Sequence, residues 1–173
     1  MTPEFSRIWR LDALGIDRQV DIEADAAERA ALAVRFALQS LDTLSATATF
    51  HPVATGIEAK GRMKAKAVQS CVITAEPVPA KIDLPFTIRF VAPDATPVSE
   101  EIELDAEDCD MMEHDGSGID LGEAIAQTLG LALAPYPRAP TADTRIKEVG
   151  ILSEEEAGPF GALAALKDKM TKG

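Results

Sequence analysis

Three successive stretches in which apolar and polar residues alternate one by one constrain this chain more than anything else in it. In the first, Leu44, Ala46, Ala48 and Phe50 alternate with Thr43, Ser45, Thr47 and Thr49 until Pro52 ends the run. After a turn around Thr55 and Gly56, Ile57, Ala59, Gly61, Met63, Ala65 and Ala67 alternate with Glu58, Lys60, Arg62, Lys64 and Lys66. In the third, Ile82, Leu84, Phe86, Ile88 and Phe90 alternate with Lys81, Asp83, Pro85, Thr87 and Arg89. Period two places the two sets on opposite faces of a β-strand. Three consecutive runs of this kind predict an antiparallel sheet with one face buried and one solvated. Pro85 lacks an N–H for the ladder, which predicts an edge or a bulge at that point.

Helices flank these strands. Asp25 followed by Glu28 is a capping-box pattern, and Ala27, Ala31, Val34 and Leu38 follow at helical spacing, which predicts an amphipathic helix over 24–40. A second helix is expected over 119–134, burying Leu121, Ile125, Leu129 and Ala132 and stopped by Pro135 and Pro137. The segment 5–20 reads as an early strand and turn, 91–117 as largely irregular with a short strand near 99–104, and 135–153 as a polar connector. A last short helix over 159–170 has Pro in its first turn and Phe160, Leu163, Leu166 and Met170 on one face. The expectation is an α+β fold: a single domain with an antiparallel curved sheet or partial barrel packed by two helices, followed by a short C-terminal helix. Residues 1–140 would form the domain, and 141–173 the connector and helix.

The 173 residues are 46% apolar, enough for a sizeable core, and only 5% aromatic. No run approaches the roughly 18 to 20 apolar residues needed to cross a bilayer, and 1–12 has no apolar signal core. A soluble, cytoplasmic protein without a membrane partner is expected. Cys71 and Cys109 make no disulfide framework.

The net charge of −12 argues against a broad grip on nucleic acid, but its distribution matters more than its sum. Between Arg89 and Arg138 lie 12 acidic residues and no Lys or Arg, so the remainder of the chain is nearly neutral. Within that remainder Lys60, Arg62, Lys64 and Lys66 stand in a row about 6.7 Å apart on one side of a strand. Such a row suits a phosphate backbone, with Arg89 as a further contact. The alternative is a solubilising outer face whose cations pair with Asp83 and similar neighbours and discourage edge aggregation.

No glycine-rich phosphate loop, nucleophile elbow or His pair at metal spacing is present, and His51 and His114 are the only histidines. The acidic segment 105–115, with Asp108, Asp110 and His114, could hold a divalent cation, but its spacing matches no ligand loop. A solvated loop or a docking surface for a basic protein is the better reading, and no metal or cofactor is expected. Cys71, at the end of the second strand, reads as a small buried apolar residue.

Several features coincide in one order: Cys71 closing a long strand, a following strand, an acidic stretch, Ile119, Asp120, Leu121 and Glu123 opening a helix, and Leu131 to Pro135 and Pro137 ending it. Then come Gly158, Pro159, Phe160, Leu163, Leu166 and Lys167. This arrangement, over nearly the whole chain, resembles the YceD family, whose members close with an Asn-Pro-Phe-type sequence and a short Leu-bearing helix. The resemblance implies a non-enzymatic role in accumulation, processing or assembly of large-subunit (23S) ribosomal RNA and brings no catalytic residues. Many members carry a Cys-x-x-Cys pair at the strand end. Cys71 matches the first and Thr74 replaces the second, which weakens a metal or redox role.

Two readings follow. In one, Lys60, Arg62, Lys64, Lys66 and Arg89 touch large-subunit ribosomal RNA or its precursors. In the other, an acidic adaptor without RNA contact uses its acidic stretch and Pro159, Phe160, Leu163, Leu166 and Lys167 to recruit a basic ribosomal or assembly protein.

Overall fold

The structure, a computed structural model, describes residues 3–14, 18–54, 56–92, 110–114 and 116–149. The chain divides into two units. The first comprises residues 1–69 and 79–135, and the second 70–78 and 136–173.

The first unit is built on the three alternating runs. They form β3 (Ser40–Val53), β4 (Gly56–Ser70) and β5 (Pro77–Val91), preceded by β2 (Gln19–Glu23). The order in the sheet is β2, β3, β4, β5, β6, the last being the short strand Asp110–Glu113. β2 and β4 run antiparallel to β3 on its two sides. The sheet is α+β in character and open, so the closure left possible by the alternation does not occur. It is also mixed rather than wholly antiparallel, because β6 lies parallel to β5, pairing Ile88 with Asp110 through Val91 with Glu113.

Alternation places the side chains as expected. Leu44, Ala46, Ala48 and Phe50 of β3, Ala59, Met63, Ala65 and Ala67 of β4, and Ile82, Phe86, Ile88 and Phe90 of β5 are buried in one core. Full burial of a Leu, Ile, Phe or Met side chain stabilises by about 1.5–3 kcal/mol, so this inner face fixes the register against a slip that would expose all of it. Pro85 lies outside the length Ile88–Val91 that β6 covers, so among the described residues no strand pairs with that side of β5 at Pro85.

Glycine is required where backbones approach most closely. A Cβ on Gly61 would lie 1.9 Å from the Thr47 carbonyl oxygen and 2.9 Å from the Phe86 ring. Gly56, at the β3–β4 turn, has φ +151° and faces the Phe90 carbonyl oxygen at 2.0 Å from where a Cβ would stand.

Helix α1 (Ala26–Arg35) starts with the capping box: the Glu28 N–H donates to Asp25 and the Asp25 N–H to Glu28, each at 2.8 Å. It ends earlier than 40 because Ala37 takes φ +51° while the Leu38 N–H donates to the Ala33 carbonyl at 2.8 Å, a Schellman closure. Its buried line runs through Leu32, with Ala33 and Phe36 against the core, whereas Ala27 and Val34 are exposed. An Ala-rich helix offers apolar residues on most of its faces, and the packing partner selects the phase. Helix α2 (Leu121–Ala132) buries Leu121, Ile125 and Leu129 as expected. The N-terminal strand β1 (Ile8–Arg10) pairs with β7 (Gly118–Asp120) in a separate two-stranded sheet.

The second unit combines the connection between β4 and β5 with the segment after α2. Cys71, Ala139 and Ala142 form its small buried cluster, with Val78 against it. The stretch read as a polar connector holds a third helix, α3 (Ala142–Glu148), whose lone buried side chain, Ala142, gives no apolar periodicity. The strand expected near 99–104 and the helix over 159–170 lie outside the described residues.

Candidate nucleic-acid interface

β4 carries Lys60, Arg62, Lys64 and Lys66 outward, all exposed, over about 20 Å of strand. Across the β3–β4 ladder each cation faces a hydroxyl: Thr49 opposite Lys60, Thr47 opposite Arg62, Ser45 opposite Lys64 and Thr43 opposite Lys66. The outer face therefore presents a lane of cations beside a lane of small hydroxyl side chains.

The cations are not equivalent. Glu58, which shares their phase on β4 and is 8% exposed, accepts Lys60 at 2.7 Å and pairs with Arg89 at 3.6 Å. The Lys60 hydrogen bond is the main influence holding the Glu58 carboxyl below its ordinary value; burial opposes it, and the Arg89 charge assists. The Arg89 Nε is buried and finds no partner among the described residues. Arg62 Nε donates to Asp83 at 2.5 Å. That bond chiefly draws the Asp83 carboxyl down, with the charges of Arg62, Lys64 and Lys81 adding to it. Three of the five residues expected to meet RNA thus stand in ion pairs, Lys60 and Arg89 sharing Glu58 and Arg62 holding Asp83.

Lys64 and Lys66 differ: among the described residues no carboxylate lies within 4.0 Å of either. Lys81 of β5 points outward, is exposed and is likewise unpaired among those residues. Its charge and that of Lys64 both reach Asp83, which brings the two lysines to the same part of the face. Lys81 was not singled out from sequence, although its phase in the third alternating run carried the signal. The alternative reading of the row, pairing with Asp83 and similar neighbours, holds as direct ion pairs for Lys60, Arg62 and Arg89, while Lys64 reaches Asp83 only through its longer-range charge.

The motif around α2 is structural in what it touches. Asp120 caps the helix by accepting from the Glu123 N–H at 3.2 Å, and it also takes the Ser6 hydroxyl at 2.6 Å and the Arg7 N–H at 2.8 Å. Leu121 is fully buried, and its N–H donates to the Arg7 carbonyl at 3.1 Å. Glu123 pairs with Arg35 at 2.8 Å, and that hydrogen bond chiefly keeps its carboxyl low. These carboxylates reach a groove lined also by Ile8, Phe90 and His114, but Asp120 is committed to holding the N-terminal segment on α2 and Glu123 to Arg35 of α1.

In the second unit Cys71 is 3% exposed. Burial pushes its thiol up. The Ala139 amide, the Thr74 side chain and the Thr74 and Ile73 amides together outweigh that and bring it down to about 7. Sγ accepts from the Ile73 and Thr74 N–H groups at 3.4 Å each. Pro137 is buried and its carbonyl accepts the Val72 N–H at 3.0 Å, while Pro135, at the end of the first unit, is exposed. Among the described residues no group of three His, Cys, Asp or Glu side chains is arranged to hold a metal ion. Asp108 and Cys109, most of the acidic stretch, and Pro159, Phe160, Leu163, Leu166 and Lys167 lie outside those residues. Of the acidic run 105–115, Asp110 to Glu113 form β6 rather than loop, because the open edge of β5 gives them a ladder partner that no local periodicity signals.

The outcome is an α+β protein with a solvated cationic lane and with its capping and motif residues committed to the fold. A family model described as large ribosomal RNA subunit accumulation protein YceD matches residues 59–167. That is well over half of the chain, and the chain belongs to this family. The match begins inside β4, so it is shorter than the near-complete resemblance read from motif order. No curated protein and no solved structure matches. The family description names accumulation of an RNA subunit rather than a reaction. No helix among the described residues is long and apolar enough to cross a membrane.

Proposed function

We propose that this protein is a non-enzymatic, cytoplasmic factor that promotes accumulation or processing of 23S ribosomal RNA by contacting the RNA with the outer face of β4. The observation that carries this reading is the cluster Lys64, Lys66 and Lys81, which has no carboxylate within 4.0 Å among the described residues and only the shared, Arg62-bound Asp83 nearby, in a chain whose net charge is −12. Like charges placed together on a sheet face destabilise it, so a polyanion that neutralises them accounts for their arrangement. Lys60, Arg62 and Arg89 are secondary contacts in this reading, because Glu58 and Asp83 already hold them in ion pairs. The segment bearing Pro159, Phe160, Leu163, Leu166 and Lys167 is assigned to a protein partner, a basic ribosomal or assembly protein.

The test is binding of the purified protein to large-subunit ribosomal RNA fragments over a salt series. The expected result is binding at low salt that weakens linearly in log–log form, with a slope of about −0.7 to −0.9 per phosphate contact. Binding absent at low salt, together with a protein partner retained after nuclease treatment, would replace this reading by that of an adaptor.

A further inference from the structure

The outer face differs from the sheets that read single-stranded nucleic acid. Such sheets stack bases on aromatic side chains, each stack contributing about 1–3 kcal/mol. Here the outward residues are Gln19, Asp21 and Glu23 on β2, and Thr43, Ser45, Thr47, Thr49 and His51 on β3, His51 standing opposite Glu58 at the end of the lane away from Lys64 and Lys66, followed on β4 by Glu58 and the four cations. β5 adds Lys81, Asp83, Pro85, Thr87 and Arg89. No Phe, Tyr or Trp stands among them, and the side chains next to the lysines are short hydroxyls. Among the described residues the Thr43 and Ser45 hydroxyls have no side-chain hydrogen bond, whereas Thr47 donates to Asp21 at 2.6 Å. The anionic Asp21 and Glu23 border the face on the β2 side, and Asp42 is exposed at the β-bulge beside Thr43. These acids confine an anion to the strip from Thr43 and Ser45 to Lys64, Lys66 and Lys81.

We propose that this strip takes the sugar–phosphate backbone of a double-helical RNA segment, through Lys64, Lys66 and Lys81 to phosphates and the Thr43 and Ser45 hydroxyls to sugar or phosphate oxygens, without reading base sequence. Paired RNA is recognised largely by shape, through 2′-hydroxyl and phosphate contacts, and this needs no stacking platform. Phosphate contacts carry no sequence information. The inference rests on the RNA reading given above and deepens it by naming the form of RNA bound.

The test uses the full chain, two paired RNAs of about 16 base pairs with unrelated sequences, and one unpaired RNA of equal length, each over a salt series. The duplexes are expected to bind within about threefold of one another and the unpaired strand roughly tenfold more weakly. The triple variant Lys64→Gln, Lys66→Gln, Lys81→Gln should lower the duplex salt slope by about 2–3, with thermal unfolding confirming that it is folded. If the unpaired strand binds as well as the duplexes, or the duplexes differ by more than about tenfold, the backbone inference is overturned while the RNA reading stands. If no RNA binds, or the triple variant binds like the parent, both fall.

Discussion

The two halves of the outer face of β4 share one strand and one alternation, yet differ in how their cations are compensated. Around Lys60 and Arg62, the acids Glu58 and Asp83 take these two cations in short ion pairs, and Glu58 also meets Arg89 at 3.6 Å. Around Lys64 and Lys66, no such pair forms among the described residues, and Lys81 adds a third positive charge. A paired half stabilises the sheet by a modest amount, since exposed ion pairs are worth roughly 0.2–1 kcal/mol. An unpaired half slightly weakens the fold and is available to an external anion. A row of cations in a sequence is therefore not one site. The acids beside it divide it into a part held in ion pairs and a part with no carboxylate within 4.0 Å among the described residues.

The largest expected effect comes from breaking the point where the halves meet. Gly61→Val should cost about 3 kcal/mol or more, because its Cβ would stand 1.9 Å from the Thr47 carbonyl oxygen between rigid backbones; urea unfolding measures it, and a loss below about 1 kcal/mol would show that β3 and β4 can separate there. Next, Glu58→Gln should cost about 1–2 kcal/mol, since it leaves Lys60 and Arg89 without their carboxylate. The same variant should raise RNA affinity at low salt by extending the open cationic region, with a steeper salt slope. Unchanged RNA binding in a folded Glu58→Gln protein would mean that the two halves are not interconvertible.

A pH series sharpens the contrast further. The carboxyls of Glu58, Glu28 and Glu123 have folded values below the ordinary 4.5, chiefly through bonds to Lys60, Arg7 and Arg35 respectively. Their stabilisation is fully present above 4.5 and is lost as pH falls through the lower folded values. Thermal midpoints should therefore stay level down to about pH 5 and drop below 4.5, with a shallower drop in Glu58→Gln. The smallest effect belongs to the open half. Replacing Lys64 and Lys66 together by Gln should raise stability by a few tenths of a kcal/mol, roughly the cost of like-charge neighbours, while weakening RNA binding. A fall in stability would show that these lysines hold the sheet together after all.

Much of this arrangement was legible in the chain itself. The alternation over 43–90 determined three strands and which residues face inward. Asp25 and Glu28 determined how α1 begins, and the order of motifs from Cys71 to Lys167 determined the family. These signals are local: period, capping and spacing act within a few residues, so sequence expresses them directly. What only the tertiary structure decided involves residues far apart. Arg62 meets Asp83 and Glu58 meets Arg89 only because β4 and β5 lie side by side. β6 exists only because β5 has an open edge, and the phase of α1 follows the surface it packs on. The basic row was in the sequence from the start, but which of its charges remain unpaired depended on where the sheet placed the acids.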